Sequence, residues 1–147
     1  MKRALVLYHS QQSGNTKKMA EAVADGLKSM GCVVTLHNAN EGRYPIDEYP
    51  QYNCVAFGTP DYFSYIAGTL KTFMDDWYLH RNEPGYQGKP YAVFYSHGGS
   101  GRVKEALNIF SRVGIQVGKP VGSYRAPDRS VLDECKDLGE ALAKALK

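Results

Sequence analysis

The chain has 147 residues, 43% of them hydrophobic and 22% charged, with a net charge of +3. That length and balance suit one globular domain with a real core and exclude disorder. Lysine and arginine are scattered without a basic run, which argues against a nucleic-acid partner.

The first apolar run, Arg3 to Tyr8, predicts a buried strand. Its apolar part, Ala4 to Leu7, is too short for a signal core or a membrane span. From Thr16 the spacing turns helical, with Met19, Val23, Leu27 and Met30 on one face and Gly31 as a left-handed cap. Cys32 to His37 is β-branched and predicts strand two. Residues 38–52 are polar with two prolines, leaving room for a turn or a very short helix. Asn53 to Gly58 predicts strand three, and Thr59 to Tyr65 a loop. Ile66, Leu70, Phe73, Met74 and Trp77 mark a second helix, followed by a polar loop over 79–89. Pro90 to Ser96 predicts strand four. Val103, Leu107 and Phe110 mark a third helix. Ile115 to Val121 predicts strand five, irregular because of Gly118 and Pro120. A last helix, capped by Asp128 or Ser130, carries Val131, Cys135, Leu138, Leu142 and Leu146 on one face.

This alternation of strands and helices predicts a single α/β domain with a parallel sheet covered on both faces. Cys32, Cys54 and Cys135 are far apart, odd in number and set in apolar patterns, which predicts buried thiols in a reducing cytoplasm. The four histidines show no metal-ligand spacing. The eleven tyrosines predict core and rim packing in the main.

In an open parallel sheet, ligands gather beyond the carboxyl ends of the strands where strand order reverses. Three loops at such ends hold unusual residues. The first, YHSQQSGNT, offers the hydroxyls of Ser10, Ser13 and Thr16, the amide of Asn15 and the free N–H groups of a helix start, with no carboxylate to repel an anion. It is neither a Walker A loop nor GxGxxG. By spacing alone it is a phosphate seat or an ordinary capped turn. In the second loop, GTPDYFSY, Tyr62 and Phe63 either form a platform for a flat heterocycle or tuck against the next helix. The third, SHGGSG, has a glycine-rich backbone able to approach a ligand edge, and His97 is either a proton relay or a surface side chain.

Together these loops carry a resemblance. YHSQQSGNTKKMAEAVADGL resembles the phosphate loop and first helix of the flavodoxin-like FMN proteins. FGTPDYFSYIAGTLKTFMDDW and GKPYAVFYSHGGSG are similar to the second and third flavin loops of WrbA-like NAD(P)H:quinone oxidoreductases. The resemblance runs over about the whole chain. It implies a flavodoxin-like three-layer sandwich with five parallel strands in the order 2-1-3-4-5, the order for which flavodoxin is the standard example. It implies FMN as cofactor. Ser10, Gln12, Ser13, Gly14, Asn15 and Thr16 would hold the phosphate. Thr59, Pro60, Asp61, Tyr62 and Phe63 would line the ring and ribityl chain, and Ser96, His97, Gly98 and Gly99 the other side of the ring. No side chain need act as a catalytic acid or base, because the isoalloxazine carries the chemistry.

The sequence departs from that pattern in four places. The phosphate loop has one extra residue between Ser10 and Gly14, which leaves open whether Gln11 or Gln12 faces the phosphate. The chain is mildly basic, so a docking partner would be acidic or meet another surface. Phe63 stands where the family often has Gly, and it should resist a positive φ, disfavouring one-electron chemistry. The loop over 79–89 is short for a nicotinamide site. The expected function is electron transfer through bound FMN, to a redox partner protein or a small quinone or flavin acceptor. The alternative is an NAD(P)H-dependent quinone or flavin reductase. A flavin-free binding module on the same fold ranks behind both. A receiver-type module is disfavoured, since strand three ends without an aspartate at its tip. Self-association stays open.

Overall fold

The computed structural model describes residues 1–11 and 13–146. Its elements run β1 (Arg3–Tyr8), α1 (Asn15–Ser29), β2 (Val33–Asn38), a 3-10 turn at Ile46–Gln51, β3 (Cys54–Pro60), α2 (Gly68–His80), β4 (Lys89–His97), a 3-10 helix at Arg102–Val113, β5 (Gly114–Gln116), β6 (Val121–Tyr124) and α3 (Arg129–Lys144). All strand pairs are parallel, in the order β2-β1-β3-β4-β5, with β6 also on β4. The expected order is therefore found. Because β1 pairs with both β2 and β3, strand order reverses there, and the ends of β1 and β3 frame the crevice that follows.

Period-two alternation divides the core into two layers. Leu5 and Leu7 of β1 point to the face covered by α2 and the 3-10 helix, where Phe57, Leu70, Phe73, Trp77 and Phe110 pack. Ala4, Val6 and Tyr8 point to the face covered by α1 and α3, where Met19, Val23, Leu27, Cys135, Leu138 and Leu142 pack. On the first face the Trp77 indole N–H donates to the Tyr86 carbonyl at 2.7 Å, and the Phe57 and Phe110 rings stack at 4.3 Å.

The predicted helix stop at Gly31 is a full Schellman motif. Gly31 lies at φ 91, its N–H donates to Lys28 O and the Cys32 N–H donates to Leu27 O. Met30, expected on the buried face, is exposed because it is the cap residue just past the last turn. Asp128 caps α3 by accepting the Val131 N–H at 2.9 Å. Two expectations need correction. The single irregular fifth strand is two short strands, because Gly118 takes φ 70 and Pro120 has no N–H for the ladder. The third helix is 3-10 rather than α, in keeping with Leu107, Phe110 and Val113, buried at intervals of three.

Buried acids set an alkaline limit. Burial pushes the Cys54 and Cys135 thiols from 9.0 up to about 12 and raises the Tyr44 and Tyr49 phenols. In the unfolded chain these groups ionise first, so the stability they support is complete below pH 9 and is lost as pH rises toward 12. Lys89, buried with its ammonium donating to Tyr52 O at 2.6 Å, is shifted down by burial and has the opposite slope, but it is one group against four. Urea denaturation at pH 8 and pH 10.5 is expected to show a loss of at least about 2 kcal/mol at the higher pH.

Candidate functional site

At the carboxyl edge of the sheet, the loops after β1, β3, β4 and β6 enclose a cavity of about 500 Å³, within the range of small-molecule sites. Its first wall is the β1–α1 loop. Gly14 is the N-cap of α1 in the left-handed region at φ 72, with no side chain of its own to cap the helix. Among the described residues the N–H groups of Asn15 and Thr16 have no acceptor, while the Lys17 N–H donates to Ser10 Oγ at 3.2 Å. Ser10 Oγ thus keeps its own proton free to donate. An anion at this place meets open backbone donors and the positive end of the α1 dipole.

The loop is held from behind by residues that the sequence reading did not single out. Asn38 Oδ1 accepts the Ser10 N–H at 3.0 Å, and the Asn38 and Asn40 amides donate to Ser10 O at 3.0 and 3.3 Å. Two asparagines at and just past the end of β2 are the signal that could have found them. His9, read only as a non-ligand, is buried. Its Nε2 donates to Gln11 Oε1 at 2.8 Å, its Nδ1 shares a hydrogen bond with the Thr69 hydroxyl at 2.8 Å, and its ring meets Tyr62 edge-on at 5.6 Å. One imidazole therefore ties the first loop to α2 and to the Tyr62 platform.

The second wall comes from β3. Pro60, Asp61 and Tyr62 line the cavity. Asp61 is a strut: Oδ1 accepts the Ser64 N–H at 2.8 Å and Oδ2 the Val103 N–H at 3.0 Å, joining this loop to the start of the 3-10 helix. Both carboxylate oxygens are thereby occupied by donors. Thr59 is fully buried and does not reach the cavity. Its hydroxyl donates to Pro60 O and accepts the Ala67 N–H.

Tyr62 and Tyr65 exchange two N–H···O bonds of 3.0 Å across a two-residue turn. Phe63 at φ 58 and Ser64 at φ 62 occupy its centre, the mirror-image geometry of tight hairpins. The expectation that Phe63 resists a positive φ is thus overturned. The paired tyrosine backbones and the Asp61 bond to Ser64 hold the turn in place. Phe63 points into solvent at the tip, outside the cavity wall, so of the two aromatics only Tyr62 lines the cavity.

The third wall comes from β4 and β6. Ser96, His97 and Gly98 line it, together with Arg125 and Ala126. Ser96 Oγ is 2.8 Å from Thr16 Oγ1, a buried hydroxyl pair that locks the start of α1 to the end of β4. His97 Nδ1 donates to Gly99 O at 3.0 Å, so its other nitrogen carries the lone pair in the neutral ring. The ring packs beside Tyr95 and Tyr124 at 6.0 and 5.5 Å. Gly14 and Gly99 shape the loops without lining the cavity, and Gln12 lies outside the described residues. Gln11 is on the wall. Arg125 is the residue that loop-by-loop reading missed, because it follows a strand that merged into strand five in the sequence.

These walls fit a flavin nucleotide by their own chemistry. One end offers unpaired N–H and O–H donors with no free carboxylate, the other a tyrosine ring with a polar backbone opposite. Among the described residues no group of His, Cys, Asp and Glu is arranged to hold a metal ion, and no helix is long and apolar enough to cross a membrane.

Comparison with known proteins agrees. A model of the flavodoxin family matches residues 6–138. A protein of Archaeoglobus fulgidus named NAD(P)H dehydrogenase (quinone) is 30% identical over 190 aligned positions, covering 98% of this chain and 97% of its own. A solved flavodoxin from the domain Archaea has a TM-score of 0.80 at 31% identity, with 97% of each chain covered. A WrbA-like flavodoxin from Agrobacterium tumefaciens has a TM-score of 0.81 at 19% identity, with 99% of this chain and 97% of that one covered, a likeness of fold. With the reversed strand order, the open helix start and the tyrosine platform at one cavity, these matches show that the chain belongs to the flavodoxin family of FMN-binding redox proteins.

Proposed function

We propose that this protein is a single-domain electron carrier that binds one FMN in the cavity at the carboxyl edge of its sheet and exchanges electrons with partner proteins. The start of α1, where Asn15 and Thr16 line the cavity and their N–H groups have no acceptor among the described residues, carries this reading. Ser10, Ser13, Asn15 and Thr16 would hold the phosphate, and Pro60, Tyr62, Ser96, His97 and Gly98 would border the ring. FMN supplies the redox chemistry when bound. The chain binds it, orients it and keeps a polar backbone beside the ring. The positive φ at Phe63 removes the sequence-based ground for preferring two-electron chemistry.

Reduction of a quinone by NAD(P)H is the second reading, favoured by the name of the Archaeoglobus fulgidus relative. An acidic protein partner fits the net charge of +3 and the exposed Lys17, which follows the cavity-lining Thr16. The three buried free thiols suit a reducing cytoplasm. Titration of the apoprotein with FMN, followed by anaerobic mixing with NADH, NADPH or a flavodoxin reductase, tests both readings. Binding, with bleaching only by the reductase protein, is expected. Rapid bleaching by a nicotinamide alone would establish the second reading, and absence of flavin binding would end both.

A further inference from the structure

The loop between β6 and α3 contains a cation that the fold holds at some cost. Arg125 lies in the left-handed region at φ 61, where glycine would sit without strain. Its backbone is fixed on both sides: the N–H donates to His97 O at 2.6 Å, and the carbonyl accepts the Ser123 hydroxyl at 3.0 Å. Arg125 lines the cavity, where it is the one permanent cation among the described lining residues. The guanidinium rests over the Tyr124 ring, 4.9 Å from its centre, and among the described residues no carboxylate lies within 4.0 Å of it. The acid on the opposite wall, Asp61, has both oxygens taken by backbone donors. Arg125 is thus an exposed, backbone-anchored cation on the cavity wall with no ion-pair partner among the described residues, which leaves its guanidinium available to an anionic ligand.

The fold also bears on which end of the ligand Arg125 meets. Thr16 at the start of α1 pairs with Ser96 of β4, Ser96 is in register with Ser123 of β6, and Arg125 follows two residues later. These links join the start of α1 to the strand that precedes Arg125. α1 and α3 pack together on one face of the sheet, and the Arg125 loop leads into α3. Tyr62 leads toward α2 on the opposite face.

We propose that Arg125 is a specificity residue for the phosphorylated form of the flavin, adding a guanidinium to the backbone donors of the α1 start. The inference rests on the FMN reading above and adds a charge-based preference for FMN over riboflavin. The test is fluorescence titration of wild-type, Arg125→Gln, Arg125→Gly and Arg125→Lys apoproteins with FMN and with riboflavin. Arg125→Gln and Arg125→Gly are expected to weaken FMN about 10-fold at low salt and to leave riboflavin within about 2-fold, with Arg125→Lys in between. Glycine suits the left-handed backbone, so its variant isolates the side chain from folding. Raising the salt should cost the wild type more FMN affinity than the Gln variant. Equal losses for both flavins, or no loss for either, would overturn the proposal. So would unchanged FMN affinity with a lowered flavin midpoint potential, which would put the guanidinium at the ring. A wild-type protein that binds no flavin would remove the FMN reading itself. A wild type that binds both flavins equally would remove only this inference.

Discussion

Ser13→Asp is expected to weaken FMN at least about 100-fold while leaving the melting temperature of the apoprotein within about 2 °C. Ser13 is an exposed residue on the cavity wall, directly before the left-handed cap Gly14. The β1–α1 loop carries no carboxylate, and the start of α1 faces the cavity with open donors. A carboxylate at position 13 satisfies those donors and stands where a phosphate dianion must come. At about 4 Å and an effective dielectric constant near 20, two unit charges repel by about 4 kcal/mol, enough to cover the expected loss even after generous screening. The same carboxylate is favourable to the empty helix start, so the fold has no reason to suffer. Ser13→Asn, of similar size and uncharged, should stay within about 5-fold of wild type. Flavin fluorescence titration reads the affinity and calorimetry the melting point. Unimpaired FMN binding by the Asp variant would show that the phosphate sits elsewhere.

The second large effect concerns the contact that aims α1 at the cavity. α1 and α3 touch backbone to backbone. A Cβ on Gly139 would fall inside van der Waals contact with the Val23 carbonyl oxygen, and one on Gly26 would do the same to the Lys136 carbonyl oxygen. Helix propensity alone predicts that Gly139→Ala stabilises by about 1 kcal/mol. The packing predicts the opposite sign. The added methyl has only main-chain atoms to push against, so the helices must separate, and a net loss of about 3 kcal/mol is expected. For a chain of this length that is a fall of roughly 6–12 °C in melting temperature. FMN affinity should fall with it, because the open N–H groups at the start of α1 move with the helix axis. Thermal melts of Gly26→Ala and Gly139→Ala check this, and a rise in melting temperature for either would mean that the two helices sit further apart than described.

Much of the architecture was legible in the chain. Alternating apolar runs gave the strands, Gly31 and Asp128 marked helix ends through their particular caps, and three unusual loops at strand ends pointed to one site. Those features are local: propensity, period and capping act within a few residues and leave their mark in the sequence. The division of strand five needed more, because pairing with β4 decides which residues of 114–124 join a ladder. Phe63 was misjudged for a related reason. Its intrinsic dislike of positive φ is outweighed by the Tyr62–Tyr65 pair and the Asp61 strut, and both depend on neighbouring elements.

The chain by itself determined the α/β class, the strand ends that carry ligand-like loops and a first loop free of carboxylates, which by spacing alone is a phosphate seat or a capped turn. Only the tertiary structure decided what surrounds that loop and the cavity. His9 behind the loop, Asp61 as a bridge and Arg125 as the unpaired cation all act across the sheet, on partners 60, 42 and 28 residues away (Thr69, Val103 and His97). A side chain's role in a site depends on what it meets there, and at such separations that is set by the packing of the sheet rather than by its neighbours in sequence.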